Sequence, residues 1–149
     1  MTDKIQAFLD GTDDAAVLED LYDKRDDLYG KFAELGISEI AAFSDAWEIW
    51  GWILSDGFET LFEQERPFSD WIDTFERVGC NKIIPILIEV SQIVPDSVYL
   101  QDYSAASGEF IRGKWAPLSA CLERFFDHND QILADLCAYV RSHRKIFFS

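Results

Sequence analysis

The sequence predicts an all-α protein, a single-domain bundle of about six to eight helices over residues 1–149. Along most of the chain, apolar residues recur three or four positions apart, which is the period of an amphipathic helix. Glycine, proline and capping residues interrupt this period at intervals typical of helices in globular proteins. The 149 residues suit one domain, and neither a repeat nor a low-complexity segment divides them.

The clearest predicted helix covers residues 12–36. Thr12 is its expected N-cap, and Asp13 and Asp14 follow in the first turn, where carboxylates interact favourably with the helix dipole. Gly36 is its expected end, because glycine readily adopts the left-handed conformation found there. At about 100° per residue, the apolar side chains share one side: Val17, Leu18, Leu21, Tyr22, Leu28, Tyr29, Phe32, Ala33 and Leu35. The other side is almost purely acidic: Glu19, Asp20, Asp23, Asp26, Asp27 and Glu34.

A second helix is predicted over residues 38–55. Apolar residues cover most of its circumference: Ile40, Phe43, Ala46, Trp47, Ile49, Trp50, Trp52, Ile53 and Leu54. Such a helix is expected at the centre of the bundle. Asp56-Gly57 breaks or bends the chain after it, and a short helical turn over residues 58–62 is expected before Pro67.

Two further helices are predicted between residues 69 and 94. Ser69 is the expected N-cap of the first, and Gly79 its expected end. Residues 81–94 allow two interpretations, because their apolar run could also be a buried strand. Pro85 argues against a central strand and suits a first helical turn, so a helix is predicted. Helical spacing is kept by Ile84, Leu87, Ile88 and Ser91.

The last third of the chain is predicted to hold a long connection and a pair of helices. Residues 95–116 form the connection, with a short helical piece near 104–112. Pro117 begins the next helix, whose apolar face is formed by Leu118, Cys121, Leu122, Phe125 and Phe126. A turn is expected at residues 128–130, and the last helix follows it. The side chains of this helix that are expected to face the core are Ile132, Leu133, Leu136, Cys137 and Val140. Cations at its C-terminus, where they favour the dipole, are Arg141, Arg144 and Lys145.

The net charge of −15 is confined to one half of the sequence. Residues 1–76 hold 20 acids and 5 bases, whereas residues 77–149 hold 8 of each. A field of this sign repels nucleic acid and anionic membranes and attracts basic surfaces. It indicates either a surface that binds a basic protein or a surface that only confers solubility.

Motifs for catalysis or cofactor binding are absent from the sequence. It contains no Walker loop, dinucleotide fingerprint, nucleophile elbow or H-E-x-x-H. His128 and His143 lack partners at metal-binding spacing, and Glu59 with Glu63 is expected to be a solvated face and not a metal site. The five tryptophans are expected in the core. We therefore expect no enzyme activity, no cofactor and no metal.

The sequence also suggests a cellular compartment. Cys80, Cys121 and Cys137 form neither a disulfide framework nor a C-x-x-C pair, which is typical of a reducing cytoplasm. No apolar run approaches the roughly 20 residues of a membrane span, and the N-terminal residues do not resemble a signal peptide. A cytoplasmic protein is the expectation.

The candidate partner-binding surface consists of carboxylates from the first half of the chain. Carboxylates that lie three or four positions apart on a helix are spaced about 4.5–6 Å along the helix axis. Phosphates of one DNA strand are spaced about 3.4 Å along theirs, so such a row could imitate part of a phosphate row. The candidate residues are Asp13, Asp14, Glu19, Asp20, Asp23, Asp26, Asp27, Glu34, Asp45, Glu48, Glu59 and Glu63. Asp56 and Glu65 could add charge beside them.

Residues 50–62 read Trp-Gly-Trp-Ile-Leu-Ser-Asp-Gly-Phe-Glu-Thr-Leu-Phe. This segment resembles small acidic bacterial proteins grouped with a DNA-mimic protein (DMP type), in which a helix ends in Asn-Gly-Gly-Phe-x-Gln before aromatic residues. Gly57 and Phe58 match that motif, whereas Ser55-Asp56 and Thr60 depart from it. We expect Gly57 to permit a backbone turn and Phe58 to anchor that turn in the core.

The resemblance extends over about residues 40–145. In the family a later helix ends in Ile-Gly-Ala, and here Arg77-Val78-Gly79-Cys80 occupies that position. The family's proline after the next apolar helix corresponds to Pro95 in Ile93-Val94-Pro95. The C-terminal helix pair also looks similar in Leu122, Phe125, Phe126 and Tyr139. The resemblance implies an all-helical fold with Gly57, Phe58 and Gly79 as structural residues. For the DNA-mimic members it implies a dimer whose acidic surface occupies the DNA site of a regulator.

These observations lead to one preferred function and two alternatives. The preferred function is a binding module that competes with nucleic acid for a basic partner, such as a transcription regulator or nucleoid protein. The first alternative is an immunity or antitoxin-type inhibitor that covers a basic nuclease toxin. The second, a carboxylate metalloenzyme, is disfavoured by the missing ligand motifs. Direct binding to nucleic acid or membranes is not expected.

Overall fold

A computed structural model describes residues 3–31 and 36–148, with the side chain of Lys31 left out. These residues form eleven α-helices, one 3₁₀ helix (Asp96–Val98) and no strand, so the predicted all-α class is confirmed. The α-helices are α1 (Asp3–Leu9), α2 (Ala15–Asp23), α3 (Arg25–Lys31), α4 (Ile37–Asp56), α5 (Glu59–Glu63), α6 (Phe68–Arg77), α7 (Ile84–Ile93), α8 (Ala105–Gly113), α9 (Trp115–Phe126), α10 (Asn129–Ser142) and α11 (Arg144–Phe147). Their number exceeds the predicted six to eight, because the first long helix is divided and short helices occur near both ends.

Helix α4 is the central element of the bundle. It packs against α2, α3, α5, α6, α10 and α11. Its buried apolar side chains are Ile40, Ala42, Phe43, Ala46, Ile49, Trp50 and Ile53. The predicted central helix is therefore confirmed, with one correction. Leu54, near the end of α4, is 46% exposed.

The buried apolar residues form one continuous cluster rich in aromatic rings. Phe125 of α9 packs against both α6 and the turn before α5, with its ring centroid 6.2 Å from Phe75 and 5.9 Å from Phe58. Both ring pairs have the edge-to-face geometry that aromatic quadrupoles favour. This packing links α6 and α9 to the chain just before α5.

The first predicted helix begins later than expected and is broken in the middle. Asp14, not Thr12, is the N-cap of α2: its carboxylate accepts a hydrogen bond from the Ala16 N–H at 3.0 Å. At Lys24 the backbone leaves helical geometry, with φ −96° and ψ 11°. Arg25 stabilises this break, because its guanidinium donates to the Tyr22 carbonyl at 2.9 Å and stacks over the Tyr22 ring at 4.1 Å.

The end predicted for this helix lies partly outside the described residues. Phe32, Ala33, Glu34 and Leu35 belong to that part. Gly36 has φ 89° and stands at the N-cap position of α4. Of the predicted apolar side, Val17, Leu18 and Leu21 are buried, and Tyr22, Leu28 and Tyr29 pack partly buried against the core.

Helix α6 is capped by a residue far away in the sequence. The predicted cap, Ser69, is exposed in the first turn, which already begins at Phe68 behind Pro67. The Phe68 N–H donates to the Asp96 carboxylate at 3.1 Å, and the Tyr99 hydroxyl donates to the same oxygen at 3.0 Å. Asp96 therefore supplies the acceptor that Ser69 was expected to provide.

The predicted end of α6 at Gly79 is confirmed. Gly79 has φ 81°, and its N–H bonds to the Glu76 carbonyl at 3.0 Å. The Cys80 N–H bonds to the Phe75 carbonyl at 3.0 Å, and both side chains are buried. This pair of bonds is the Schellman motif, which requires the left-handed backbone that glycine provides.

Gly57 and Phe58 lie at the sharp turn between α4 and α5. Gly57 ends α4 with φ 70° and ψ −151°. A Cβ atom at this position would lie 3.3 Å from Cδ2 of Leu122. Phe58 is buried directly after the turn and contacts Phe125. The sharp turn at Gly57 thus directs Phe58 into the core.

Residues 84–93 are helical, which decides between the two interpretations of that segment. Pro85 lies in the first turn of α7, where its missing N–H has no partner to lose. The buried face differs from the predicted one: Ile86, Leu87 and Val90 are buried, whereas Ile88 is 43% exposed. The helix is rotated because it packs between α6 and α9, a constraint that spacing within one helix does not reveal.

The connection over residues 95–116 is more helical than predicted. Ser104 forms a capping box with Ser107 at the start of α8. Helix α9 begins at Trp115, so Pro117 is its third residue and not its first. Of the predicted α9 face, Leu118, Cys121 and Phe125 are buried, whereas Phe126 is exposed.

The two ends of the described chain pack on the same part of the core. Arg141 of α10 donates to the Phe8 carbonyl at 2.6 Å and to the Asp13 carboxylate at 2.5 Å. Phe147 packs edge-on against Phe43, with ring centroids 5.6 Å apart, and Phe148 lies 5.8 Å from the Phe8 ring. These contacts hold α1 and α11 against the bundle.

Candidate partner-binding surface

Two of the predicted surface carboxylates are used inside the molecule. Asp13 forms its ion pair with Arg141. Asp14 caps α2 and lies 3.9 Å from the Lys4 ammonium. Both side chains hold the α1–α2 connection in place, which leaves little of their charge for a partner.

A hydrogen bond between α2 and α4 brings three predicted carboxylates together. The Tyr22 hydroxyl donates to Glu48 at 3.0 Å. The pKa of Tyr22 is raised, first by burial, then by its bond to Glu48, and also by the negative charge of Asp23. The pKa of Asp45 is also raised, first by burial and then by the negative charge of Glu48. Tyr22 and Glu48 thus link Asp23 at the end of α2 to Asp45 in α4.

Lys24, which follows Asp23 in the chain, interacts with two further carboxylates. Its ammonium lies 2.8 Å from the Asp20 carboxylate. The pKa of Lys24 is raised mainly by the hydrogen bond and charge of Asp20, and the charge of Asp27 adds to this. We name the five residues around Tyr22 and Lys24 the first acidic cluster: Asp20, Asp23, Asp27, Asp45 and Glu48.

Other predicted carboxylates stand outside this cluster. Glu19 and Asp26 are exposed, and neither has an ion pair within the described part of the chain. Glu34 lies outside the described residues. Among the described residues of the range 12–36, the expected regular spacing holds within α2 and within α3, and the break at Lys24 separates the two.

A second acidic cluster surrounds the turn between α4 and α5. It consists of Asp56, Glu59 and Glu63, all exposed. The pKa of Tyr103 is raised by burial, then by the charges of Glu63 and Glu59. Glu65 lies close by, because its carboxylate accepts the Tyr103 N–H at 3.0 Å. Tyr103 thus connects this cluster to the start of α8.

An apolar cleft of about 520 Å³ opens beside the second acidic cluster. Its apolar wall is formed by Phe58, Phe62, Ile111, Trp115, Leu118 and Leu122. Asp56, Glu59 and Arg112 supply charged groups in the lining. Trp115 is 71% exposed, so the prediction that all tryptophans belong to the core is wrong at this position.

This cleft could not be predicted from the sequence pattern. Trp115 lies three residues before the buried Leu118, so helical period alone places both on the inner face of α9. Its exposure depends on the empty space between residues 56–62 and residues 111–122. That space is set by the packing of separate helices.

The described residues show no arrangement suited to metal chemistry or to a membrane span. No group of three or more His, Cys, Asp or Glu residues among them could hold a metal ion. None of their helices combines the length and apolar character needed to cross a bilayer. Burial raises the pKa of the Cys80 thiol to about 12 and also raises that of Cys137, which keeps both thiols protonated at neutral pH.

Comparison with protein-family models, with curated proteins and with solved structures finds no match for this chain. Charge, burial and geometry of its own residues therefore carry the functional argument.

Proposed function

We propose that this protein is an acidic binding module that occupies the nucleic-acid-binding surface of a basic partner protein, as a DNA mimic does. The observation that carries the proposal is the first acidic cluster. It gathers five carboxylates from α2, α3 and α4 around Tyr22 and Lys24. Residues 1–76, which contain it, bear the whole net charge of −15.

Several exposed carboxylates remain available for a partner's cations. Within the described part of the chain, no ion pair is formed by Glu19, Asp23, Asp26, Asp27, Asp45, Glu59 or Glu63. A basic surface that pairs with such groups gains attraction that salt screens over a Debye length of about 10 Å at 0.1 M. Charge complementarity of this kind mainly sets the association rate and the choice of partner.

The proposal is tested by charge reversal with a matched control. The test variant carries Asp20→Lys, Asp23→Lys and Asp27→Lys, all in the first acidic cluster. The control carries Asp102→Lys, Glu123→Lys and Asp127→Lys, which change the net charge equally at exposed positions in the neutral half. Each protein is used at low and high salt to capture partners from a bacterial extract, and captured partners are then titrated with duplex DNA.

We expect the wild type and the control to capture the same proteins at low salt and to release them at high salt or on addition of DNA. The test variant should bind at least about tenfold more weakly, because attraction at the contact becomes repulsion. Circular dichroism should show that all three proteins remain helical. Equal capture by the test variant, or equal loss by the control, would overturn the proposal.

The identity of the captured protein separates the two binding hypotheses. A transcription regulator or nucleoid protein supports mimicry of nucleic acid in regulation. A nuclease whose activity is blocked on capture supports the immunity-type inhibitor instead.

A further inference from the structure

The apolar cleft lies where the acidic and the neutral halves of the sequence meet. One side comes from residues 56–62, in the acidic half, and the other from residues 111–122, in the neutral half. Its volume of about 520 Å³ is sufficient for one or two large side chains. Trp115 leaves 71% of its surface uncovered at this cleft. A large exposed aromatic ring beside an apolar wall is the usual composition of an interface anchor point.

The charged groups in the lining define what fits there. Asp56 and Glu59 line the cleft on the α4–α5 side. These carboxylates favour a ligand that carries a cation next to its apolar part. Arg112, on the α8 side, forms no ion pair within the described residues. Its guanidinium can donate to backbone carbonyls of a bound peptide segment.

We infer that this cleft receives an aromatic or long aliphatic side chain of the basic partner, from a segment with Lys or Arg one or two residues away. The inference rests on the proposed function and names the apolar anchor of that interaction. The first acidic cluster would attract the partner over a distance, and the cleft would hold it after contact. Anchors of this type usually carry a large share of the binding energy.

A second copy of this chain is a poorer occupant. Each copy has a net charge of −15, and its cleft is lined on one side by carboxylates. Two such surfaces brought together repel each other, and like charges across an interface are strongly unfavourable. A basic segment meets the same groups with opposite charge.

The test uses two synthetic peptides and needs no identified partner. One is acetyl-Gly-Lys-Phe-Leu-Lys-Gly-amide, and the other replaces Phe-Leu by Ser-Ser. Binding is followed by the indole N–H resonance of Trp115 in the full-length protein. We expect saturable binding of the first peptide, with Kd on the order of 1 mM, and no saturation with the second. Replacing Trp115 by Ala should weaken binding of the first peptide by about tenfold. Because this variant lacks the Trp115 indole, its binding is measured from the resonances of other residues that line the cleft.

Two control variants locate the effect. Ile88→Ala removes an exposed apolar side chain outside the cleft and should leave binding unchanged. Glu59→Lys keeps the apolar wall but repels the peptide's lysines, and should weaken binding several-fold at low salt. Binding of both peptides alike, or unchanged binding by the Trp115→Ala variant, would overturn the inference. A dimer in sedimentation experiments that shields Trp115 would overturn it as well.

Failure here can be told apart from failure of the proposed function. If only the inference is wrong, the peptide does not bind, yet capture of a partner still depends on salt and on the first acidic cluster. If only the proposed function is wrong, charge reversal in that cluster leaves capture unchanged, while the peptide still binds through Trp115.

Discussion

Among single residues, Asp45 stands out because its environment opposes its charge. Burial is the main cause of its raised pKa, the negative charge of Glu48 adds to it, and the charges of Arg66 and Arg77 partly offset it. The residue is nevertheless exposed at the surface, so its desolvation is only partial. The folded protein therefore holds the Asp45 proton more tightly than the unfolded chain does.

This raised pKa predicts the sign of a pH effect on stability. The favourable contribution of protonated Asp45 is complete below its ordinary pKa of about 3.9 and is lost as pH rises through the higher folded value. Asp45→Asn removes that loss. We expect the stability of the variant relative to wild type to increase between about pH 3 and pH 6, measured by urea unfolding at several pH values. A constant difference, or a decrease over this range, would contradict the assignment.

Capping residues show what a sequence can and cannot reveal at this scale. Before α2, Thr12 and Asp14 are both acceptable N-caps, so residue type alone does not choose between them. Ser69 is an acceptable cap for α6 as well. In the folded chain Asp14 is the cap of α2, and Arg141 and Lys4 contact the segment around it. The ion pairs Arg141–Asp13 and Lys4–Asp14 each join a helix to the α1–α2 connection, and they are visible only in the folded chain.

For the helices, the turn at Gly57 provides the clearest prediction. Its φ of 70° with ψ of −151° belongs to a region that residues with a Cβ atom rarely enter. An added Cβ would also press against Leu122. Gly57→Ala should therefore lower the free energy of unfolding by about 1–3 kcal/mol, measured by urea denaturation.

Gly51 supplies the matched control for this prediction. It lies inside α4, and apart from its chain neighbours and the helix's own backbone a Cβ atom there would meet nothing within 4 Å. Gly51→Ala should raise stability by about 0.5–1 kcal/mol, because alanine loses less conformational freedom in a helix than glycine does. Destabilisation by both changes alike would show that the backbone at Gly57 is not the cause.

Helices with strong apolar periodicity could be predicted from the sequence, and weaker ones could not. The long α4 and the Gly79 end of α6 follow from local pattern and glycine position. Helix α1 has only seven residues and one fully buried side chain, Phe8, so its pattern is too short to detect. The break at Lys24 has no sequence signal, since the neighbouring residues are all tolerated in helices and the stabilising contacts come from Arg25 and Tyr22.

For the whole molecule, the one-sided charge predicts how salt affects stability. Residues 1–76 hold 20 acids and 5 bases, so repulsion among them opposes the compact state. Added salt screens this repulsion. We expect the melting temperature to rise with sodium chloride, while partner binding weakens under the same change.

The charge-reversal variant in the first acidic cluster should show a smaller rise, because it has less repulsion to screen. The variant with reversals at Asp102, Glu123 and Asp127 should keep most of the rise. Calorimetry at low and high salt measures both. A melting temperature that falls with salt would indicate that ion pairs outweigh the repulsion.

The location of the charge could be predicted from the sequence, but its grouping could not. Counting residues is enough to assign the net charge to the first half. The two acidic clusters depend on Tyr22 meeting Glu48 and on Tyr103 lying near Glu59 and Glu63, which are contacts between separate helices. The cleft at Trp115 depends in the same way on how residues 56–62 and 111–122 are placed.

The long-range cap at Asp96 has a consequence for the order of events during folding. Until the segment after α7 docks, the Phe68 N–H can bond only to water, so the first turn of α6 stays frayed. Docking places Asp96 beside Phe68 and buries Tyr99 at the same time, because the Phe68 N–H and the Tyr99 hydroxyl donate to the same Asp96 oxygen. We therefore expect the stretch from Phe68 to Tyr99 to fold in a single cooperative step, in which Asp96 caps the helix that begins at Phe68.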